Sequence, residues 1–330
     1  TSDDTVTAGK RVLESYWQRH GLAVDVLPIG SKSFANRFSL PTPPPLVSII
    51  IPTRNRCDLL RQCVEGIYQR TSYPKVEVLI IDNGSDEPDT IAYLESLQVA
   101  NQTRVLRFAG PFNFASINNW AVMQAEGSCL CLLNNDVEPI TPDWLDQMVA
   151  HAMRPDIGAV GALLYFPNDT IQHGGDILNG MAACHLHLGY PRGSLGYANR
   201  AMLTQNLSAV TAACLVVRKE IWNEVGGMDE TSFPVAFNDV DFCLRVAARS
   251  YRNLWTPLAE LYHHESASRG KDDTPQKRAR LDAEAAHFQQ RWGDLLGCDP
   301  AWNPNLALDG AHIRLANPPR IAKPWLIQNA

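Results

Sequence analysis

The segment "LVSIIIPTRNR" at residues 46–56 gives the first clear indication of the fold of this chain. Its nearly continuous run of β-branched residues predicts a strand buried on both faces, as in a parallel sheet. Directly after it, "CDLLRQCVEGIYQRT" at 57–71 repeats apolar residues at helical spacing. Before it, "SLPTPPP" at 39–45 predicts an extended linker, because a proline cluster cannot lie inside a sheet. We therefore expect a domain boundary near Pro45.

The alternation of strand and helix patterns continues along the chain. Further strands are predicted at "VEVLIIDNGS" (76–85), "TRVLRF" (103–108) and "SCLCLLNND" (128–136), and helices at "EPDTIAYLESLQ" (87–98) and "NFASINNWAVMQAEG" (113–127). Pro88 falls in the first turn of one helix, and Gly127 is the expected end of the other. The alternation predicts an α/β fold, Rossmann-like, with a mostly parallel central sheet flanked by helices. Functional loops should lie at the carboxyl ends of the strands.

Helical extensions are predicted at both ends of this core. Residues 1–45 begin with a helical pattern, and "TPQKRARLDAEAAHFQQRWGDLLG" at 274–297 reads as one amphipathic helix. The segment after this helix is rich in Pro and Asn and shows no regular pattern. A polar and aromatic stretch at 165–205 is expected to form mobile loops.

Composition excludes some functions and favours others. The chain has 330 residues, of which 45% are hydrophobic and 19% charged, and a formal charge of -6. No cluster of Lys and Arg is present, so a nucleic-acid partner is not expected. The eight cysteines lack a CxxC pair and are expected to be free thiols, mostly buried. Because no apolar run approaches the about 20 residues that span a bilayer, we expect a cytoplasmic protein, with peripheral contact at the inner face of the cell membrane as one option. The chain opens with Thr1 and is a candidate segment of a longer protein with neighbouring domains.

Two loops after the first strands carry polar groups suited to a nucleotide. Pro52, Thr53, Arg54 and Asn55 follow the first strand, where backbone amides and a guanidinium would meet a ligand. Asp82 ends the second strand, where a buried carboxylate needs hydrogen-bond donors. Ordinary turn formation explains these residues equally well, including an Asx-turn with Gly84 after Asp82. The GxGxxG phosphate loop of a dehydrogenase is absent from this stretch, which disfavours an oxidoreductase.

The loop "LLNNDVEP" at 132–139 has the chemistry of a hard divalent cation site. Asn134, Asn135 and Asp136 supply one carboxylate and two amides at the end of a buried strand. Mg²⁺ or Mn²⁺ held by so few protein groups would complete its coordination with phosphate oxygens. The alternative is that Asp136 or Glu138 caps the following helix.

The last candidate loops contain paired carboxylates and paired histidines. Asp239 and Asp241 would share a side on a strand or a turn but diverge on a helix. One of them could act as a general base, while the other orients it or caps the next helix. His263 and His264 are adjacent at a strand end, so only one of them should face a shared metal ion.

Taken in order, the motifs resemble the family-two glycosyltransferases, and in particular the bacterial enzymes of O-antigen and other surface polysaccharide synthesis. The resemblance runs from about residue 46 to residue 270 and rests on "VSIIIPTRNR", "YPKVEVLIIDNGSDEP", "PFNFASINNWAVMQAEG", "LLNNDVEPITPDWLDQMV", "SAVTAACLVVRKEIWNEVGGMDE", "VAFNDVDFCLR" and "LYHHESASRG". The segment "DPAWNPNL" at 299–306 also resembles that subgroup. The implied fold is GT-A, with a nucleotide-binding half at 46–137 and an acceptor half at 138–270, followed by a C-terminal helix and extended tail at 271–330.

The resemblance also implies roles for individual residues. The implied nucleotide site comprises Pro52, Thr53, Arg54, Asn55, Asp82, Asn113, Asn118 and Asn135. Asp136 ends the family's DXD motif and contacts the metal, Mn²⁺ or Mg²⁺, together with His263 or His264. Asn134 replaces the first Asp of DXD, which implies weaker metal binding. Asp239 is the implied catalytic base, with Asn238 in place of the family's Glu and with Asp241 as a supporting carboxylate.

The implied reaction is inverting transfer of a sugar from a nucleoside diphosphate to a glycan or lipid-linked glycan. UDP- and dTDP-sugars are the expected donors by resemblance. Because two family positions are Asn, a non-catalytic sugar-nucleotide or glycan binding module of a larger polysaccharide-assembly protein is the first alternative. A sugar nucleotidyltransferase is the second, but the loop after the first strand lacks the glycines and lysine that it requires.

Overall fold

The computed structural model describes residues 2–30, 33–99, 103–180, 182–264, 274–308 and 313–321. The helices are α1 Ser2–Arg19, α2 Cys57–Arg70, α3 Pro88–Val99, α4 Phe114–Gln124, α5 Trp144–Ala152, α6 Lys219–Val225, α7 Asn238–Ala248 and α8 Pro275–Leu296. The strands are β1 Val24–Ile29, β2 Ser33–Phe38, β3 Val47–Thr53, β4 Val76–Asp82, β5 Thr103–Arg107, β6 Cys129–Leu133, β7 Val137–Pro139, β8 Ile157–Tyr165, β9 Ile171–His173, β10 Asp176–Leu178, β11 Ala183–His185, β12 Gln205–Asn206, β13 Cys214–Arg218 and β14 Arg252–His263.

One large sheet organises the molecule, with the strand order β12-β14-β8-β13-β6-β3-β4-β5. Strands β3, β4, β5 and β6 pair in parallel, and β13 is antiparallel to both β6 and β8. Because β13 is antiparallel to both of its neighbours, β8 runs in the same direction as β6. Strand β14 is parallel to β8 and therefore also runs in the direction of β3 to β6. This confirms the predicted α/β fold with a mostly parallel central sheet. The carboxyl ends of the parallel strands meet at one edge, which also contains the start of β13.

The sheet separates two apolar cores, which explains its composition. Central strands bury side chains on both faces; Ile49, Ile50 and Ile51 of β3 are fully inaccessible. Helices α2, α3 and α5 cover one face, and α4, α6, α7 and α8 cover the other. Continuous apolar strands of this kind form only where helices cover both faces. The strands and helices predicted between residues 46 and 136 are therefore confirmed, apart from the end of α4.

Two local predictions were wrong. Helix α4 ends at Gln124 rather than at Gly127. Gly127 instead packs against β3, because a Cβ there would lie 2.5 Å from the Ser48 hydroxyl. The stretch 165–205 contains three short strands with many buried side chains, β9 to β11, and does not consist of loops alone.

The N-terminal region contains an element that the sequence did not reveal. Helix α1 was expected, but the antiparallel pair of β1 and β2 that follows it was not. These strands mix polar and apolar residues without alternation and include Pro28, so neither shows a strand pattern. The proline-rich segment after them contains neither helix nor strand, bends at Thr42 and Pro43, and leads into β3.

The C-terminal helix α8 is packed against the sheet's helical layer. Phe288 is fully buried, with its ring centroid 5.9 Å from that of Phe233 and 5.3 Å from that of Phe237. All eight cysteines are free thiols and five of them are buried, as expected. In the part of the chain that the structure describes, no helix has the length and apolar character needed to cross a membrane.

Candidate functional site

The two predicted nucleotide loops lie side by side at the carboxyl edge of the sheet. Thr53 ends β3 and is paired in register with Asp82, which ends β4. Asn135 donates from Nδ2 to the Thr53 hydroxyl at 3.0 Å, so the loop after β6 joins them. Asp82 Oδ1 accepts the Ser85 N–H at 2.9 Å, and Gly84 has φ +80°. The Asp82 carboxylate therefore bonds the backbone three residues on, one residue beyond the partner of an Asx-turn, and so helps to shape the loop after β4.

Asn55 connects these loops to each other. Its backbone is left-handed at φ 57°, and its Oδ1 accepts the N–H groups of Asp86 and Glu87 at 2.9 and 3.1 Å. Its Nδ2 donates to the Asp86 carboxylate at 2.8 Å. Beside it, Pro52 is partly buried and Arg54 is exposed. Asn55 thus holds the loop after β4 in place, and Arg54 is the residue of the first loop that extends into solvent.

Asn113 and Asn118 make their hydrogen bonds within the protein. Asn113 is the N-cap of α4, accepting the Ser116 N–H at 2.9 Å and donating to the Glu230 carbonyl at 2.9 Å. Asn118 is buried and donates to the Phe114 carbonyl at 2.8 Å. Both side chains therefore fix the start of α4. Their contact with a nucleotide stays a prediction.

The structure brings Asp136 together with one of the two candidate histidines. His263 Nε2 lies 3.2 Å from Asp136 Oδ1, and both residues are buried. On the other side of the ring, His263 Nδ1 lies 2.6 Å from Gln172 Oε1. Because an amide oxygen only accepts, Nδ1 carries a proton, and Nε2 is the ring nitrogen that faces Asp136. Asn134 Nδ2 lies 3.4 Å from the same nitrogen.

His264 points elsewhere. Its Nε2 lies 3.5 Å from Glu138 Oε2 and 3.3 Å from Gln62 Nε2, while its backbone N–H donates to the Asp136 carbonyl. Glu138 also pairs with Arg70 at 2.5 Å. Adjacent strand residues face opposite ways, so only His263 shares a site with Asp136. The alternative of helix capping by Asp136 or Glu138 is wrong, since α5 begins at Trp144 and Glu138 belongs to β7.

Asp239 lies in the first turn of α7 and faces a cavity. Its Oδ2 accepts the Ala212 N–H at 3.0 Å, and its Oδ1 accepts the Val240 N–H at 2.9 Å. Burial raises the pKa of Asp239 above its ordinary value, and the nearby Asp176 carboxylate adds to that rise. The cavity measures about 230 Å³ and is also lined by Asp176 and His185. A carboxylate in this position combines access with raised basicity.

The supporting residues Asn238 and Asp241 do not share the side of Asp239. Asn238 is buried and donates to the Val235 carbonyl at 2.9 Å. Asp241 is fully buried and accepts hydrogen bonds from Arg245, Arg291 and Trp292 at 2.8 to 2.9 Å. Because these residues belong to a helix, Asp239 and Asp241 diverge. The prediction that Asp241 directly supports Asp239 is therefore wrong. The Asp241 carboxylate instead joins α7 to α8.

We expect Asp241→Ala to lower the free energy of unfolding by about 3 kcal/mol, because it removes a fully buried carboxylate and the three hydrogen bonds that it accepts. Chemical denaturation of the purified chain measures this loss. The matched control is Asp282→Ala, which removes an exposed carboxylate of α8 and should change stability by less than about 0.5 kcal/mol. Equal stability of the two variants would show that Asp241 does not hold the helices together.

Several residues around Asp239 were not predicted. Glu284 of α8 is buried and accepts the N–H groups of Val235 and Ala236 at 2.7 and 3.1 Å, which shapes the turn before α7. Asp299, in "DPAWNPNL", accepts the Ser208 hydroxyl at 2.7 Å and the Leu178 N–H at 2.5 Å. A buried Glu in an amphipathic helix leaves no mark in the sequence pattern.

The geometry of this edge can now be compared with known structures. A mannosyltransferase from Pyrobaculum calidifontis, solved with GDP-Man and Mn²⁺, superposes with a TM-score of 0.57 at 19% identity, covering 88% of this chain and 75% of that one. GalNAc-T7, solved with UDP, GalNAc and Mn²⁺, gives a TM-score of 0.61 at 15% identity over 76% of this chain and 48% of that one. The fold is therefore of the GT-A type.

The sequence itself then identifies the family. The model of glycosyl transferase family 2 matches residues 48–226, and the chain belongs to this family. The O-antigen biosynthesis protein RfbC of Myxococcus xanthus is 38% identical over 96% of this chain and 24% of that protein. The protein y4gI of Sinorhizobium fredii is 49% identical over 94% of this chain and 34% of that protein.

A third relative is more distant. The N-acetylglucosaminyl-diphospho-decaprenol L-rhamnosyltransferase of Mycobacterium tuberculosis is 25% identical over 60% of this chain and 69% of that protein. The chain thus spans about a third and about a quarter of the lengths of the two more similar relatives. The family resemblance inferred from the ordered motifs is confirmed.

Proposed function

We propose that this domain is an inverting glycosyltransferase that moves a sugar from a nucleoside diphosphate to a hydroxyl of a glycan or lipid-linked glycan. One observation carries the proposal: the DXD-like loop and Asp239 contact the same dipeptide. The Asn134 N–H donates to the Ala213 carbonyl at 3.0 Å, and the Ala212 N–H donates to Asp239 at 3.0 Å. A donor phosphate at one loop and an acceptor hydroxyl at the other would therefore be close neighbours.

The residues around Asp136 fit a divalent ion. Asp136 and His263 present a carboxylate oxygen and an imidazole nitrogen 3.2 Å apart, and Gln172 holds the ring in the tautomer that binds metals. We propose that these two residues hold Mn²⁺ or Mg²⁺, with donor phosphates completing the shell. When bound, the ion would neutralise charge on the diphosphate leaving group. The GT-A relatives solved with Mn²⁺ support this choice of cofactor.

The nucleoside is proposed to lie along the loops after β3 and β4. Thr53 and Asp82 form the floor of this edge, and Asn55 fixes the second loop against the first. Arg54 is exposed and can reach a phosphate or a ribose there. UDP- and dTDP-sugars are our proposed donors.

Asp239 is the proposed catalytic base. Each of its oxygens already accepts one backbone N–H, which fixes the carboxylate plane and leaves further lone pairs for an acceptor hydroxyl. Removal of the acceptor proton on the side opposite the leaving diphosphate inverts the anomeric centre. The cavity beside Asp239, at about 230 Å³, is small compared with a glycan, so only the reacting end of the acceptor would enter it.

The acceptor and cellular role are proposed from the relatives. RfbC supports surface polysaccharide synthesis of the O-antigen kind, and the rhamnosyltransferase supports an acceptor on a lipid diphosphate. Such an acceptor would require contact with the inner face of the cell membrane. Neighbouring domains of a longer chain would supply further steps.

The activity should depend on pH in a way set by Asp239. The ionised form of a base is the active one, and burial raises the pKa of this carboxyl. We expect kcat to fall as the pH drops through this raised pKa, so the acid limb should lie above the ordinary Asp value of about 3.9. Steady-state rates from about pH 4 to pH 8 measure the limb. An acid limb of kcat at the ordinary pKa of Asp would contradict the assignment of Asp239 as the catalytic base.

The proposal is tested first by binding and then by transfer. Calorimetry with UDP, dTDP and GDP, each in Mn²⁺, in Mg²⁺ and in chelator, identifies the nucleobase that the site prefers and the ion that it requires. The corresponding nucleotide sugars are then incubated with the protein, and release of nucleotide is followed. Metal-dependent binding with sugar release supports the enzyme; binding without any hydrolysis or transfer across donors and acceptors would favour the non-catalytic module.

A further inference from the structure

A second group of metal-ligating side chains lies beside Asp239, apart from Asp136 and His263. His173 and Asp176 come from the sequence "QHGGD", and His185 comes from "HLHLGY". One potential ligand atom of each lies within 4.8 Å of those of the other two. Asp176 and His185 are directly opposite each other in the pairing of β10 with β11, which brings their side chains together.

We propose that His173, Asp176 and His185 form a binding site for a transition-metal dication such as Zn²⁺, distinct from the proposed nucleotide-metal site. Two imidazoles and one carboxylate, with open positions left over, are a ligand set that such ions accept. The proposal does not depend on the proposed transfer reaction. It concerns binding of the ion alone.

The distances fit three ligands around one centre. His185 Nδ1 is 2.6 Å from Asp176 Oδ1 and 2.9 Å from His173 Nδ1, and His173 Nδ1 is 3.7 Å from Asp176 Oδ1. A tetrahedral ion with bonds of about 2.0 Å separates its ligands by about 3.3 Å, so small side-chain shifts would admit it.

Hydrogen bonding alone explains this triangle poorly. The His185 Nδ1–H can serve Asp176, but the same hydrogen must then also serve His173 Nδ1. If His173 Nδ1 carried a proton as well, two N–H groups would face each other at 2.9 Å. The Thr211 N–H donates to His173 Nε2 at 3.4 Å, a long hydrogen bond that binding of an ion through Nδ1 would break. A cation would accept a lone pair from all three residues.

Two of the three proposed ligands, His173 and Asp176, are buried. His173 and Asp176 are 1% and 3% exposed, so neither is hydrated by bulk water. Open coordination positions would face the cavity, which Asp176, His185 and Asp239 line together.

The glycines between the ligands allow this close approach. A Cβ at Gly174 would lie 2.6 Å from the Leu186 carbonyl oxygen. Gly175 has φ +84°, and a Cβ there would lie 2.1 Å from Leu207 Cδ1. The "HGGD" spacing therefore places a His and an Asp on either side of a turn that only glycine fits.

The test is a metal titration of the full chain after treatment with chelator. We expect the wild type to bind one equivalent of Zn²⁺ by calorimetry and to retain it through gel filtration, as measured by elemental analysis. His185→Ala and Asp176→Asn should each weaken this binding on the order of 100-fold. His185 is the main variant, because its side chain is 42% exposed and its loss should be tolerated by the fold.

Two comparisons locate the ion. Asp136→Ala should leave the Zn²⁺ equivalent in place, and His20→Ala, which removes an exposed histidine directly after α1, should leave its affinity unchanged. Loss of Zn²⁺ in Asp136→Ala but not in His185→Ala would assign the ion to the nucleotide-metal site and overturn the proposal. Equal binding by the wild type and His185→Ala, or no binding by the wild type, would also overturn it.

Discussion

Replacing Asp239 with asparagine is expected to lower the rate of sugar transfer about 1,000-fold and to change nucleotide affinity less than about threefold. The amide cannot take a proton from the acceptor hydroxyl, whereas the proposed donor site is built from the loops after β3, β4 and β6. Transfer rates with the donor identified by binding, and calorimetry of the matching nucleotide, measure the two effects separately.

The fold of this variant is checked in the same experiment. Asp239 accepts two backbone N–H groups, and an asparagine oxygen can serve one of them, so the free energy of unfolding should fall by about 1 kcal/mol. Asp282→Asn is the matched surface control. A folded Asp239→Asn protein that transfers sugar at the wild-type rate would refute the assignment of the base, and one that also loses nucleotide binding would place Asp239 in the donor site.

Asp136→Ala should weaken nucleotide binding in the presence of Mn²⁺ by about 100-fold or more, because His263 alone would then hold the ion. In chelator, the variant and the wild type should bind the nucleotide with equal, low affinity. Mn²⁺ should therefore no longer raise the nucleotide affinity of the variant as it does that of the wild type. Calorimetry with and without Mn²⁺ measures it.

The control for this variant is Glu138→Gln, two residues further along the chain in β7. Glu138 interacts with Arg70 and His264 and takes no part in the proposed ion site, so its metal-dependent affinity should match the wild type. Wild-type metal dependence in Asp136→Ala, or the same loss in both variants, would remove Asp136 from the site.

Much of the central sheet could be predicted because its signals are local. Strands such as β3 and β6 are runs of apolar residues buried on both faces, and their ends carry the polar residues of the site. The pairing of Thr53 with Asp82 and the proximity of Asn135 follow from parallel topology alone. Continuous apolar runs that end in polar residues therefore located the edge of the sheet and its loops.

Other parts of the site depend on contacts that no local pattern encodes. The sequence alone could not decide whether His263 or His264 faces Asp136. That choice depends on how β14 is oriented in the sheet. The separation of Asp239 from Asp241 required the start of α7, which lies at Asn238 with a left-handed Phe237 before it. The partner of His263, Gln172, lies 91 residues away and could not be identified without the fold.

The contacts between α7 and α8 set an order of events during synthesis. Arg291, which holds Asp241, lies 50 residues later in the chain, and Glu284, which shapes the turn before Asp239, lies 49 residues after Val235. The strands that form the nucleotide edge leave the ribosome long before either residue does. A nascent chain could thus form the loops of the nucleoside site early, while the carboxylate that we assign to catalysis takes its final position only when α8 has been made.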